Sequence, residues 1–166
     1  MSDALPLAVR LTSAAVDQLA EIDFSGERER GAFLYGFADD LEITVCLVGP
    51  ARADGYEGTS DEVFFDPGFA AERERVLAEG PGWRAVGTAH SHPGDDPDAP
   101  MELSPPDENF HARWAKNLHE SIATVLLRAG PNGYDPWADP RMSAWLTAQD
   151  GVCRPACLIV EPRTYY

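Results

Sequence analysis

The chain has 166 residues, of which 44% are hydrophobic and 25% are charged, and this is the size of one ordinary globular domain with its own core. With 28 acidic and 13 basic residues the formal charge is -15, which makes nucleic acid and anionic membrane surfaces poor partners. No apolar run reaches the roughly 18 residues of a membrane span, and residues 1–10 lack the pattern of a signal peptide, so we expect a single cytoplasmic domain over residues 1–166.

The first half of the chain predicts strands and helices in alternation. Apolar residues alternate with other types up to Leu11, and Ser13 is placed to cap an amphipathic helix that runs to about Ile22. Two apolar runs joined by Asp39-Asp40 predict an antiparallel hairpin. A helix after Asp66-Pro67, which ends at Gly80-Pro81-Gly82, precedes another strand. The predicted strands are residues 5–11, 31–38, 41–48 and 83–91.

The second half begins with a loop and returns to regular structure. Residues 93–106 hold five prolines and four acids, and Ser104-Pro105-Pro106-Asp107 then opens a helix that runs to about His119. Strands are predicted over 121–127, 142–147 and 153–160, the last two around the turn Asp150-Gly151. Hairpins interspersed with crossover helices predict an α/β or α+β domain, in which helices flank a mixed, mostly antiparallel sheet.

Two of the four histidines, His90 and His92, stand two residues apart at the end of a predicted strand. Side chains alternate between the faces of a strand, so both imidazoles project to one side and can share a metal ion. Neutral imidazoles suit zinc. Such a pair also occurs on ordinary polar surfaces, so a metal site requires further ligands.

Asp107 is the natural third ligand. The loop after Pro93 returns to a helix whose first turn presents Ser104 and Asp107 on neighbouring positions. Three protein ligands leave one coordination position open, which is typical of catalytic rather than structural zinc. The alternative interpretation of Ser-x-x-Asp is a capping box, with Ser104 as the N-cap and Pro105 at the first helical position. Both interpretations can hold at once.

The blocks His90-Ser91-His92-Pro93 and Ser104-Pro105-Pro106-Asp107 resemble the signature of the JAMM (JAB/MPN+) zinc metalloproteases of the prokaryotic JAB-domain type. That signature also has a Glu just ahead of a small-residue and apolar stretch that ends in Gly. Glu29 precedes such a stretch, which ends at Gly36, whereas Glu27 is displaced by two residues. The loop between the two blocks is about four residues longer than in the family, and loops absorb such insertions at little cost. Its acids are either solvated or compete as ligands: Asp95, Asp96, Asp98 and Glu102.

The resemblance implies a cytidine-deaminase-like JAB/MPN fold and Zn2+ held by His90, His92 and Asp107. It also implies that Glu29 is the general base that activates the zinc-bound water and protonates the leaving amine. Ser104 is implied to donate a hydrogen bond to the tetrahedral oxyanion. Without the histidine motif, Glu29 would be interpreted as a solvated member of the charged run 27–30.

The implied function is that of a zinc-dependent peptidase or isopeptidase acting at the C-terminal tail of a ubiquitin-like or sulfur-carrier protein. One alternative is a zinc hydrolase of small amides or peptides. A second is a non-catalytic MPN-type binding module, which is disfavoured because such relatives generally lack the metal ligands. A zinc deaminase is disfavoured because its Pro-Cys-x-x-Cys ligands are absent.

The remaining polar and aromatic residues predict no further site. The cysteines are odd in number and form no CxxC pair, so we interpret them as reduced core thiols: Cys46, Cys153 and Cys157. His111 and His119 lie eight residues apart without partners at metal-ligand spacing, so we expect both at surface or half-buried positions outside the site. The tryptophans are interpreted as core or groove-lining aromatics: Trp83, Trp114, Trp137 and Trp145.

Overall fold

The computed structural model describes residues 7–21, 30–49, 56–57, 74–75, 77–92, 102–128 and 142–162. Seven of its strands lie where the sequence predicts them, and only the two-residue β4 is unpredicted. The strands are β1 (Ala8–Leu11), β2 (Arg30–Ala38), β3 (Glu42–Gly49), β4 (Tyr56–Glu57), β5 (Arg84–His92), β6 (Ile122–Arg128), β7 (Met142–Thr147) and β8 (Cys153–Val160). The two longer helices are α1 (Ser13–Glu21) and α2 (Pro105–Leu118). Among the described residues, no helix has the length and apolar character that crossing a membrane needs.

The first helix is confirmed, but its cap is Thr12 rather than Ser13. The Thr12 hydroxyl oxygen accepts a hydrogen bond from Ala15 N at 3.2 Å, and α1 begins at Ser13. Ser and Thr hydroxyls can both cap a helix, so residue type alone does not separate these two neighbours. The helix buries Ala15, Val16 and Leu19 completely, in one cluster with side chains of β1 and β3.

Both predicted glycine turns are confirmed where the structure describes them. Residues 77–79 are helical, and Gly82 N donates to Leu77 O at 2.9 Å with a φ of 79° at Gly82. Gly151 has a φ of 86° in the turn between β7 and β8. Glycine adopts these left-handed conformations without the steric penalty that a Cβ brings. The earlier part of the predicted helix, residues 66–73, lies outside the described residues.

The strands close into a seven-stranded barrel. The order of hydrogen-bonded neighbours is β3-β1-β8-β7-β6-β5-β2, and β2 pairs with β3 to complete the ring. The short strand β4 pairs with the beginning of β2. The parallel pairs among the described strands are β1–β3, β1–β8 and β5–β6, and the other pairs are antiparallel.

This closed barrel shows that the predicted fold class is wrong. A sheet flanked by helices was expected, in the cytidine-deaminase-like JAB/MPN arrangement, whereas the described residues are mostly strands joined into a ring. Hydrophobic patterns predict each strand but not its partners, and the ring depends on β1 lying between β3 and β8. Two register shifts lie next to Tyr35, with one extra residue in β3 and one in β5, and they add local bend and twist of the kind that closure requires.

The barrel has a filled interior and one covered patch outside. The largest cluster of apolar side chains draws on all seven strands of the ring, which only the interior can do. A second cluster includes Phe33, Tyr35 and Ala85 on the outer face of β2 and β5, with Trp114 of α2 packed against it. The ring centroids of Phe33 and Trp114 are 5.9 Å apart. This contact seats α2 on β2, next to the strand β5 that carries the two histidines.

The prediction of three core thiols is wrong for one cysteine. Cys157 is exposed on β8, whereas Cys46 and Cys153 are partly buried, and all three are free. Burial raises the pKa of the Cys46 and Cys153 thiols. Cys157 lies in an apolar stretch of the sequence, but that stretch alone does not indicate which side chains of β8 face the barrel interior.

Strand β5 has a glycine at a position where a Cβ would collide with the backbone of β6. Gly87 is the register partner of Ala123, and a Cβ on Gly87 would lie 1.9 Å from the Ala123 carbonyl oxygen. That oxygen belongs to the backbone and cannot rotate away. Any larger residue at position 87 must therefore push β5 and β6 apart.

We expect Gly87→Ala to lower the free energy of unfolding by about 3 kcal/mol, at the upper end of the usual overpacking cost. Gly82→Ala is the matched control, because a Cβ there meets nothing within 4 Å and adds only the left-handed backbone penalty of about 1 kcal/mol. Urea denaturation measures both variants. Equal losses would contradict the close approach of β5 and β6.

Candidate metal centre

Three predicted ligands from two elements converge on one point. His90 and His92 lie at the end of β5, and Asp107 lies in the first turn of α2. His90 Nε2 is 3.0 Å from Asp107 Oδ2 and 3.1 Å from His92 Nε2, and His92 Nε2 is 3.7 Å from Asp107 Oδ2. The His90 ring is fully buried, whereas the His92 side chain is 20% exposed and opens the cluster to solvent.

The separations suit a tetrahedral metal ion. Ligand atoms at the usual zinc distances, about 2.0–2.2 Å, stand roughly 3.3–3.6 Å apart at tetrahedral angles, and the three observed distances lie around that range. Two imidazole nitrogens and a carboxylate oxygen, each of which can offer a lone pair, lie around the same point. Such an arrangement is stable only with positive charge between the groups, either a shared proton or a metal ion. The donor set therefore fits zinc.

The capping box predicted for α2 is present and uses the same carboxylate. Ser104 Oγ accepts a hydrogen bond from Asp107 N at 3.3 Å, and Asp107 Oδ2 accepts one from Ser104 N at 3.2 Å. Pro105 follows as the first helical residue, where a missing N–H costs nothing. The capping and ligand interpretations thus hold together. Because Ser104 Oγ acts as the acceptor, its own hydrogen remains available to a third group.

The Asp107 carboxyl is held in its ionised form. Burial alone would raise its pKa, but hydrogen bonds from His90 and His92, the charge of His90 and the hydrogen bond from Ser104 lower the pKa well below its usual range. Metal ligands bind in their deprotonated state. No proton therefore has to leave Asp107 before it can bind a cation.

His111 belongs to this centre, and the prediction of a surface or half-buried position is wrong. Its side chain is 1% exposed, with Nδ1 at 2.7 Å from Asp107 O and Nε2 at 2.7 Å from Thr88 Oγ1. A carbonyl oxygen only accepts, so Nδ1 carries the hydrogen and Nε2 accepts from the Thr88 hydroxyl. Burial lowers the pKa of His111 to about 4. The ring is therefore neutral near pH 7, with the single hydrogen that these contacts need.

These hydrogen bonds join the first turns of α2 to β5. Thr88 lies two residues before His90 on the same strand, so the chain Thr88–His111–Asp107 ties the helix to the strand that holds the other ligands. The missed signal is the four-residue spacing of Asp107 and His111, which places both on one face of a helix. His119 ends α2 in an exposed position, as predicted.

The other acidic candidates are only partly described. Glu29 and Glu27 lie outside the described residues, and so do Asp95, Asp96 and Asp98 of the long loop. Glu102 is exposed. Of the predicted site residues, the structure thus brings together His90, His92, Asp107 and Ser104.

Comparison with known proteins supports the fold alone. No family model matches the chain, and no curated protein matches it. The chain is similar to the solution structure of protein DSY2949 from Desulfitobacterium hafniense, with a TM-score of 0.61 and 19% sequence identity over 93% of this chain and 94% of that chain. At this identity the likeness shows a shared fold and carries no information on activity.

We expect the protein to bind one zinc ion with micromolar or better affinity, and His90→Ala with His92→Ala to abolish that binding. Asp107→Asn is the sharper variant, because its amide oxygen can still accept from Ser104 N while the anionic ligand is lost. The zinc affinity of this variant should fall by more than about 100-fold, the upper end of the loss caused by mutating residues that contact a metal ligand but not the metal itself. Glu108→Gln, an exposed neighbour in the same turn, should bind like the wild type. Metal analysis measures the zinc content of each variant, and chelator competition measures its zinc affinity. A full equivalent of zinc retained in the double alanine variant would mean that the metal binds elsewhere.

We expect Thr88→Val to lower zinc affinity about tenfold and the free energy of unfolding by about 1–3 kcal/mol, because His111 Nε2 loses its buried donor. Thr124→Val is the matched control. Thr124 is the register partner of Thr88, is equally buried, and its hydroxyl has no hydrogen-bond partner among the described residues. Thr88→Ser should restore both quantities. Calorimetric titration measures the zinc affinity, and urea denaturation measures the free energy of unfolding. Equal effects of the two valine variants would contradict a positioning role for His111.

Proposed function

We propose that this chain is a zinc-dependent peptidase or isopeptidase that cleaves an amide bond at the C-terminal tail of a ubiquitin-like or sulfur-carrier protein. The observation that carries the proposal is the convergence of His90 Nε2, His92 Nε2 and Asp107 Oδ2. A zinc ion held by three protein ligands keeps a fourth position open, as catalytic sites do. The two motifs resemble those of the JAMM metalloproteases, and the proposal takes its chemistry, not its fold, from that resemblance.

Zinc, when bound, supplies Lewis acidity and makes water nucleophilic at neutral pH. The chain's own residues supply position and hydrogen bonds. His90 and Asp107 are both buried, and Asp107 is also held by the capping box and by His111, which limits its movement. The Ser104 hydroxyl accepts from Asp107 N and keeps its hydrogen for the oxygen that becomes negative during attack on an amide carbonyl.

Glu29 is the general base of this proposal: it takes the proton from the attacking water and passes it to the leaving amine. The position of β2, which begins directly after Glu29, supports this assignment. β2 begins at Arg30, and Gly31 is the register partner of His90. The chain therefore enters β2 at the end of the sheet where the histidines lie.

The burial of the centre favours a narrow substrate. Of the three converging side chains, His92 has the most solvent exposure, at 20%, whereas His90 and Asp107 show 0% and 10%. A folded partner can reach such a centre only with a flexible, extended segment, and glycines let the backbone of that segment approach closely. A Gly-Gly tail meets both conditions. The second candidate, a hydrolase of small amides, is favoured by the same burial.

The composition supports a protein substrate inside the cell. A net charge of -15 disfavours nucleic acid and attracts basic surfaces. The free cysteines are typical of a reducing compartment. We therefore place the activity in the cytoplasm.

The test offers a ubiquitin-like protein fused through Gly-Gly to a reporter, beside the same fusion with bulky residues in place of the glycines. We expect zinc-loaded protein to release the reporter only from the Gly-Gly fusion, and Glu29→Gln to lower the rate at least about 100-fold while zinc is retained. Glu27→Gln should be nearly silent. Mass spectrometry follows release.

Ser104→Gly separates the two roles of Ser104. Glycine keeps most of the N-cap preference, within a few tenths of a kcal/mol, but has no hydroxyl to donate, so the rate should fall about 100-fold or more with little loss of stability. Equal cleavage of both fusions, or of neither alongside rapid turnover of short peptides, would favour the small-amide hydrolase.

A further inference from the structure

A pocket of about 700 Å³ opens on the outer face of the barrel, beside α2. Its described lining comes from one flank of α2, from β2 and β5, and from residues 74, 75 and 78, and it includes none of the three metal-ligand candidates. Pockets of this size hold small molecules. None of its lining residues belongs to the two sequence motifs of the candidate metal centre.

The apolar wall of the pocket is built from fixed aromatic rings. Trp114 meets Phe33 edge to face, with centroids 5.9 Å apart and planes at 85°. Phe110 meets Trp114 at the same centroid distance with planes at 62°. Edge-to-face contacts of this kind hold ring orientations. Leu118, which is 46% exposed, extends the wall by two helical turns beyond Phe110.

Among the charged side chains that line the pocket, one cation has no ion-pair partner in the described part of the chain. Glu74 Oε2 accepts a hydrogen bond from Ala85 N at 3.0 Å, and Arg75 forms an ion pair with Glu79 at 3.5 Å. Arg113 is exposed and has no ion-pair partner among the residues that the structure describes. In a chain with 28 acids and 13 bases, a basic side chain at the rim of an aromatic pocket is a local exception to the overall charge.

We propose that this pocket binds a small apolar carboxylate, with its ring or branched chain against Phe110 and Trp114 and its carboxylate on Arg113. The planar guanidinium matches a carboxylate with two parallel hydrogen bonds. The apolar wall supplies most of the affinity, and Arg113 selects the charge. Binding at this place needs no metal, so it stands apart from the proposed peptidase activity.

The experiment titrates three probes with the same ring into the protein by calorimetry: 2-naphthoate, 2-naphthalenemethanol and 2-naphthylmethylammonium. We expect 2-naphthoate to bind at least about fivefold more tightly than the alcohol, as a partly exposed ion pair allows, and the ammonium to bind most weakly. Arg113→Gln should remove the difference between acid and alcohol. Arg154→Gln, an exposed arginine on β8, should preserve it.

A second variant tests the location of binding independently of charge. Ala78 is exposed and lines the pocket, so Ala78→Trp places a large ring in it without touching the core and should weaken binding of 2-naphthoate. Equal affinity for the three probes, or unchanged 2-naphthoate affinity in Ala78→Trp, would overturn the proposal. Binding of 2-naphthoate that requires zinc and is lost in His92→Ala would also overturn it, because the carboxylate would then occupy the metal centre.

Discussion

The centre depends on one carboxylate, that of Asp107, which does two things with the same oxygen. Oδ2 accepts the N–H of Ser104 and so completes the cap of α2, and it also lies 3.0 Å from His90 Nε2. The backbone oxygen of Asp107 accepts from His111 as well. The start of the helix and the end of β5 are therefore fixed by hydrogen bonds to one residue. A shift of α2 by a single residue would break the cap, the imidazole contact and the His111 contact together.

The barrel positions the other two candidate ligands, His90 and His92, because β5 is tightly packed on both sides. It lies between β2 and β6, its residues 85–91 are all buried, and Gly87 brings its backbone against β6. Sites built on such packed strands and on helix termini hold ligand atoms more exactly than sites on loops. The number of residues between His92 and Ser104 can therefore vary while both of these positions stay in place.

The sequence predicts what is local and misses what is distant. Two-residue alternation places His90 and His92 on one side of a strand, and Ser-Pro-Pro-Asp predicts the cap of α2, because both signals lie within a few neighbouring residues. Barrel closure requires the parallel pairing of β1 with β3 and β8, which no short window contains. His111 shows the same limit: its spacing from Asp107 is visible on the helix, but Thr88, its other partner, is 23 residues away on β5.

Helix α2 contributes to the candidate metal centre and to the aromatic pocket without sharing a side chain between them. Asp107, His111 and Ala115 recur every four residues and form its buried face, whereas the pocket uses the neighbouring flank that begins at Phe110. On a helix, residues one position apart differ in direction by about 100°, so His111 can face β5 while Phe110 faces the pocket. The hydrogen bonds of His111 fix the rotation of α2 about its axis. That rotation also determines that the flank with Phe110, Arg113 and Trp114 lines the pocket.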